Sequence, residues 1–181
     1  MIKEQLSNIS MNGRMAYSIM CIENYLLSKY SDRDWSLLAK KMWAATNMPW
    51  DEWDERFMEV IPKYLFEFNN YQEAGFEFIS EDEYHQFVSL YNGITDGSTE
   101  DISDPVNYML LCLHQIQDIY AYTNIPGNGD ECLNIVEKMT AILAKEHIDL
   151  PPIDQIRFSS FDQRHGWGDY FEGEYLSIIL R

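Results

Sequence analysis

SDPVNYMLLCLHQIQDIY, residues 103–120, reads as a complete helix with its own start signal. Ser103-Asp104-Pro105 marks a helix start: Asp104 is a residue type that caps open amides, and Pro105 suits the first helical position, where no amide proton is needed. Val106, Met109, Leu110, Leu113, Ile116 and Tyr120 then recur at the spacing of a buried helical stripe. The apolar run MLLCL at 109–113 is interrupted by His114 and Gln115, far short of the ~18 apolar residues of a membrane span. This stretch predicts the most apolar helix of the chain and places it at the centre of a bundle.

The flanking sequence repeats the pattern. Upstream, Ser80-Glu81-Asp82-Glu83 reads as a capping box, in which Ser80 bonds the amide of Glu83 and Glu83 reaches back. Tyr84, Phe87, Val88 and Tyr91 follow as a buried face, and Gly93 stops the helix. Before that, Pro49 opens a helix in which Trp50, Trp53, Phe57, Val60 and Ile61 keep helical spacing. Pro62 kinks or restarts it, leaving a short piece at Tyr64–Phe66. Residues 68–79 and 94–103 read as loops. A first helix over 13–29 buries Met15, Ile19, Ile22 and Leu26, with Arg14 and Glu23 at its margins. A second is capped by Asp32 and buries Trp35, Leu38, Met42 and Ala45.

Downstream, residues 130–146 bury Leu133, Val136, Met139, Ile142 and Leu143. Pro151-Pro152 then end all helical periodicity. The remainder is rich in glycine and aromatics, and must be tied down or fray. It is expected to lie as an extended arm over the bundle, with scope for a short β-bridge and a short final helix near Leu176–Ile179. The fold class is all-α: a single-domain helical bundle of about six or seven helices over residues 1–181, with an irregular aromatic arm over 152–181.

Charge is unevenly spread. The 181 residues carry a formal −17. Residues 50–105 hold fifteen acids against two bases, so this block alone is −13. An apolar content of 46% with 14% aromatics belongs to a packed globule and not to a disordered acidic tail. A strong negative charge argues against nucleic acid and anionic membranes, whose phosphates need Lys and Arg, and either favours basic partners or simply maintains solubility. Cys21, Cys112 and Cys132 are odd in number and lie in apolar stretches, as reduced core thiols of a cytoplasmic protein do. The N-terminal segment lacks the apolar region of a signal peptide.

Catalytic and metal motifs are sparse. Asp82-Glu83-Tyr84-His85 is one Asp-x-x-His, where a di-iron bundle needs two Glu-x-x-His pairs and two more carboxylates. Asp96–Asp101 has the composition of a calcium loop, but Asp101 and Asn107 stand where an EF-hand needs Gly and Glu. There is no nucleophile elbow and no phosphate-binding glycine loop. No cofactor and no metal is expected. His114 and Asp118 are four apart on one helix and suited to pair. An enzyme would have to assemble its site from dispersed groups such as His114, Asp118 and His85. A third class, an oligomeric scaffold, would show an exposed apolar helix face.

Two aromatic segments are open to two readings. Trp167, between Gly166 and Gly168, is either a plug docked into the bundle or an exposed anchor for a partner. Trp50 and Trp53, interleaved with acids, are either core or a grip for Lys- and Arg-rich surfaces.

Taken together, NGRMAYSIMCIENYLL at 12–27, WDEWDERF at 50–57 and SSFDQRHGWGDYF at 159–171 make the chain resemble, in general style, the immunity proteins of bacterial toxin systems. The resemblance implies a non-enzymatic inhibitor that covers a cognate, often basic, toxin, and it transfers no individual residue role. The residues expected to meet such a partner are Asp51, Glu52, Asp54, Glu55, Glu81, Asp82, Glu100 and Asp101.

Overall fold

Nine α-helices succeed one another in the computed structural model, which describes residues 1–181. They are α1 (Ile2–Leu6), α2 (Met11–Lys29), α3 (Ser36–Trp43), α4 (Trp50–Met58), α5 (Pro62–Leu65), α6 (Tyr71–Ala74), α7 (Glu81–Tyr91), α8 (Pro105–Asp118) and α9 (Asp130–Lys145). Short 3-10 turns follow at Ala44–Thr46, Ile153–Ile156, Gln163–Gly166 and Gly173–Leu176. The chain is all-helical, and 43 buried apolar side chains form one continuous core.

The caps foreseen from sequence are present. Ser80 Oγ accepts from the Glu83 amide at 3.2 Å, and Glu83 Oε2 accepts from the Ser80 amide at 3.0 Å. Asp104 Oδ1 accepts from the Asn107 amide at 3.2 Å, with Pro105 in the first turn of α8. Other boundaries moved. α3 starts at Ser36, because Asp34 Oδ1 takes the Ser36 amide in a local turn and the preceding residues stay outside the helix. α4 ends at Met58, since Pro62 begins α5 and cannot continue the ladder. Two short helices were not foreseen. α6 lies inside the expected 68–79 loop, between an Asn70 cap and a left-handed Gly75, and α1 precedes the first expected helix.

The centre of the bundle is α2 and not α8. α8 and α9 pack along it on one side, α3 and the Ala44–Thr46 turn on another. Every residue from Met11 to Glu23 is buried, as in a helix surrounded on all sides. Arg14 and Glu23, expected at its margins, are both 0% exposed. Arg14 is held by carbonyls: Nε donates to Leu6 at 3.2 Å, and the terminal nitrogens donate to Gly129 at 3.2 Å and Ser7 at 3.1 Å. Burial lowers its pKa from the usual guanidinium value. The same burial pushes the Cys112 and Cys132 thiols up to about 11, and all three cysteines are free and buried.

The arm runs along α2. Ser160 forms an antiparallel bridge with Ile9, and the Ser10 amide donates to the Ser159 carbonyl at 2.9 Å. Further on, the Asn12 amide donates to the Trp167 carbonyl at 2.9 Å, and Phe171 N–H to the Thr46 carbonyl at 2.9 Å. Last, Ser177 Oγ and the Ile178 amide donate to the Glu23 carboxylate at 2.5 and 2.8 Å, alongside Trp43 Nε1 at 2.8 Å. The final helical turn is the 3-10 turn at Gly173–Leu176, slightly earlier than expected.

Candidate functional site

α4 is fixed by one face and charged on the other. Trp53 and Phe57 are each 1% exposed, with stacked rings 4.5 Å apart, and Trp53 Nε1 donates to the Lys41 carbonyl at 2.9 Å. Helical spacing then turns Asp51, Glu52 and Glu55 to solvent, and no cation or hydrogen-bond donor of the protein engages their carboxylates. Asp51 and Glu52 lie in the first turn, where the helix dipole favours negative charge.

The other expected residues do not join this row. Asp54 is half-buried, and its Oδ1 lies 2.9 Å from His114 Nε2, off the line of the ring N–H. His114 therefore leans across to α4, whereas Asp118 is exposed on its own helix. Glu81 and Asp82 are exposed in the first turn of α7, with Glu81 accepting from Gln72 Nε2 at 2.6 Å. Glu100 is ion-paired with Lys63 at 2.8 Å. Asp101 closes a local turn, accepting from the Ser103 amide at 2.8 Å and hydroxyl at 2.7 Å. No hydrogen bond or ion pair links Glu81, Asp82, Glu100 or Asp101 to Asp51, Glu52 or Glu55.

Several acids of the 50–105 block serve the fold and leave the surface count. Glu59 is 8% exposed and gathers the amides of Glu77, Phe78 and Ile79 at 2.7–3.0 Å. Glu83, besides its cap, pairs with Lys41 at 2.9 Å. His85 lines a shallow groove with Asp32 and Asp34, apart from His114.

Beside Asp51 the surface opens into a cleft of about 630 Å³. Asn12 of α2 and Gln117 of α8 line it, together with Trp50 and Asp51 of α4, Tyr122 of the following turn, and Arg164, Trp167 and Tyr170 of the arm. Trp50 and Tyr122 meet edge to face, 4.9 Å between ring centres. The Arg164 guanidinium lies 4.5 Å from the centre of the Tyr170 ring. Trp167 is half-buried: its backbone is pinned to α2 while its side chain both packs on the core and lines the cleft. It is thus neither a full plug nor a bare anchor. Gly166 and Gly168 do hold positive φ, 93° and 83°.

Tyr122 and Arg164 also hold positive φ, 59° and 43°, although neither is glycine. Such backbone costs on the order of 1 kcal/mol or more per residue and persists only where the surroundings impose it. Asn12 and Gln117 were missed from sequence. A signal existed: Gln117 falls in register with Leu110 and Leu113, and Asn12 with Ala16 and Ile19, so each is a polar residue on a buried stripe. Neither a known family model, nor a curated protein sequence, nor a solved structure matches this chain.

Proposed function

We propose that the chain is a non-enzymatic binding module for a basic protein: an immunity-type inhibitor, acting in the bacterial cytoplasm, that covers a cognate toxin or mimics its anionic substrate. The observation that carries this reading is the outer face of α4. Its three carboxylates, Asp51, Glu52 and Glu55, are exposed and unpaired on a helix locked by Trp53 and Phe57. Acids with internal duties, such as Glu59 and Asp104, are spent on the fold; these three are not.

A rigid row of anions without counterions, on a molecule of net −17, draws a cation-rich surface by long-range attraction. The expected contact residues contract accordingly. Asp51, Glu52 and Glu55 form the centre and Glu81 and Asp82 a second set; Asp54 contributes less because it is half-buried against His114, and Glu100 and Asp101 because they are already engaged.

The test is affinity capture with the wild-type protein and a triple charge-reversal variant, Asp51→Lys, Glu52→Lys and Glu55→Lys, side by side. The wild type is expected to retain a basic toxin-like protein that the variant loses, while the melting temperature of the variant stays within a few degrees, since exposed substitutions typically cost under about 0.5 kcal/mol each. Equal capture by both proteins overturns the reading.

A further inference from the structure

We propose that the cleft between Trp50 and Trp167 receives the guanidinium of an arginine side chain presented by the basic partner, an inference that rests on the α4 reading above. Three independent features of the cleft select this chemistry.

The first is a pair of hydrogen-bonding groups left free at the cleft. Gln117 is only 6% exposed, lines the cleft, and its side-chain amide bonds to no other residue. Asn12 is 7% exposed; its Nδ2 is used twice, donating to the Thr46 carbonyl at 3.0 Å and the Asp169 carbonyl at 2.9 Å, which leaves Oδ1 as an unused acceptor. Neither group is sealed from water, because both open on to the same cavity, so each can exchange cleft water for the donors of a ligand. A guanidinium offers five donors and no acceptor, and matches an acceptor-bearing floor.

The second is the wall. Trp50, Tyr122 and Trp167 present aromatic surface, which attracts a planar cation face-on. The chain already makes this contact within the same cleft, with Arg164 on Tyr170. An ammonium, compact and strongly hydrated, gains less from such walls than a planar, weakly hydrated guanidinium.

The third is charge. Asp51 belongs both to the cleft and to the outer face of α4, so the acid row leads into the opening. A phosphate-bearing ligand would meet Asp51 and a molecule of −17, and an apolar side chain would leave Gln117 and Asn12 unmatched. Arg164 opposes an incoming cation, but it is exposed and turned on to Tyr170, where solvent screens it.

Two amidated nonapeptides, one of arginine and one of lysine, serve as probes, with binding followed by tryptophan fluorescence at moderate salt. The arginine peptide is expected to bind roughly tenfold tighter than the lysine peptide, and Gln117→Leu to reduce that preference to within about twofold. Trp167→Leu should do the same; if it unfolds, Gln117→Leu alone decides. A double reversal, Glu52→Lys and Glu55→Lys, which leaves the cleft residue Asp51 in place, is expected to weaken both peptides alike. Equal affinity for the two peptides, or an arginine preference that survives Gln117→Leu, overturns the cleft inference and leaves the α4 reading standing. Double reversal without effect, while the preference remains sensitive to Gln117→Leu, overturns the α4 reading alone. Failure of both peptides to bind overturns both.

Discussion

Glu23 is a carboxylate in the middle of the core, and its energetics follow from two opposed effects. Burial raises its pKa above the ordinary glutamate value of 4.5, and the bonds from Ser177, Trp43 and Ile178 recover only part of that shift. The folded protein therefore holds this proton more tightly than the unfolded chain. Over the interval from the unfolded pKa up to the folded one, the folded state binds more protons, so stability falls as pH rises through it. Below the unfolded pKa the effect is absent, and above the folded pKa the loss is complete. Glu23→Gln removes the titration while keeping the shape of the side chain. In urea unfolding at a series of pH values rising from the ordinary glutamate pKa, the stability of the wild type relative to Glu23→Gln is expected to decline with rising pH. A relative stability that instead rises over that range would mean that the three donors outweigh burial. Arg14 has a different solution, with three backbone carbonyls and no carboxylate in contact. Neither residue's burial was legible in the sequence, because residue type sets only an average, and the surroundings of α2 are supplied by segments far along the chain.

At the scale of elements, the legible parts were those governed by local chemistry. The Ser80–Glu83 box, the Asp104-Pro105 start and the stripes of α8 and α9 are written within a few neighbouring residues, and they form where expected. The centre of the bundle was not legible. α8 is the more continuous apolar run, yet α2 is the helix that others surround, and the choice depends on which helices pair. The arm was legible as a type, irregular and aromatic with one β-bridge, although it is built of 3-10 turns more than of extended chain, and its register was not legible. That register is set by contacts too close for a side chain. Gly168 has φ of +83°, and a Cβ there would lie 2.1 Å from Ser10 Oγ and 2.6 Å from Ser10 Cβ. Gly168→Ala therefore strains the backbone and drives the arm off α2 at once. It is expected to cost about 2 kcal/mol or more in chemical denaturation, as substitutions that violate a special backbone conformation do. Gly127→Ala is the control: the same positive-φ penalty applies, but its Cβ meets nothing within 4 Å, so the loss is expected to be smaller. The cleft belongs to this scale too. Trp167 and Trp50 were visible as candidates, whereas Gln117 joined them only once α8 and the arm were in place.

Across the whole molecule, the negative charge is a standing cost. Thirty acids face thirteen Lys and Arg, and only five ion pairs join a Lys or Arg to a carboxylate. Self-repulsion of this kind is relieved by screening. Raising sodium chloride from about 10 to 150 mM shortens the Debye length from roughly 30 to 8 Å, and is expected to raise the melting temperature. Each kcal/mol relieved is worth about 2–4 °C for a chain of this size. A melting temperature that falls with salt would mean that attractive pairs dominate instead. No helix of the chain is long and apolar enough to cross a membrane. The lacing of the arm along α2 also has a bearing on biosynthesis. The Asn12 side chain meets its Asp169 acceptor 157 residues later, and Glu23 meets Ser177 after 154. At a translation rate of 5–20 residues per second, this separation is on the order of 10–30 s, during which the innermost helix has emerged from the ribosome without the donors and acceptors that complete it. Until then it is a provisional intermediate: a nascent chain stalled before residue 159 has the carbonyls that hold Arg14 but leaves Glu23 without its Ser177 and Ile178 donors, a natural substrate for chaperones and proteases.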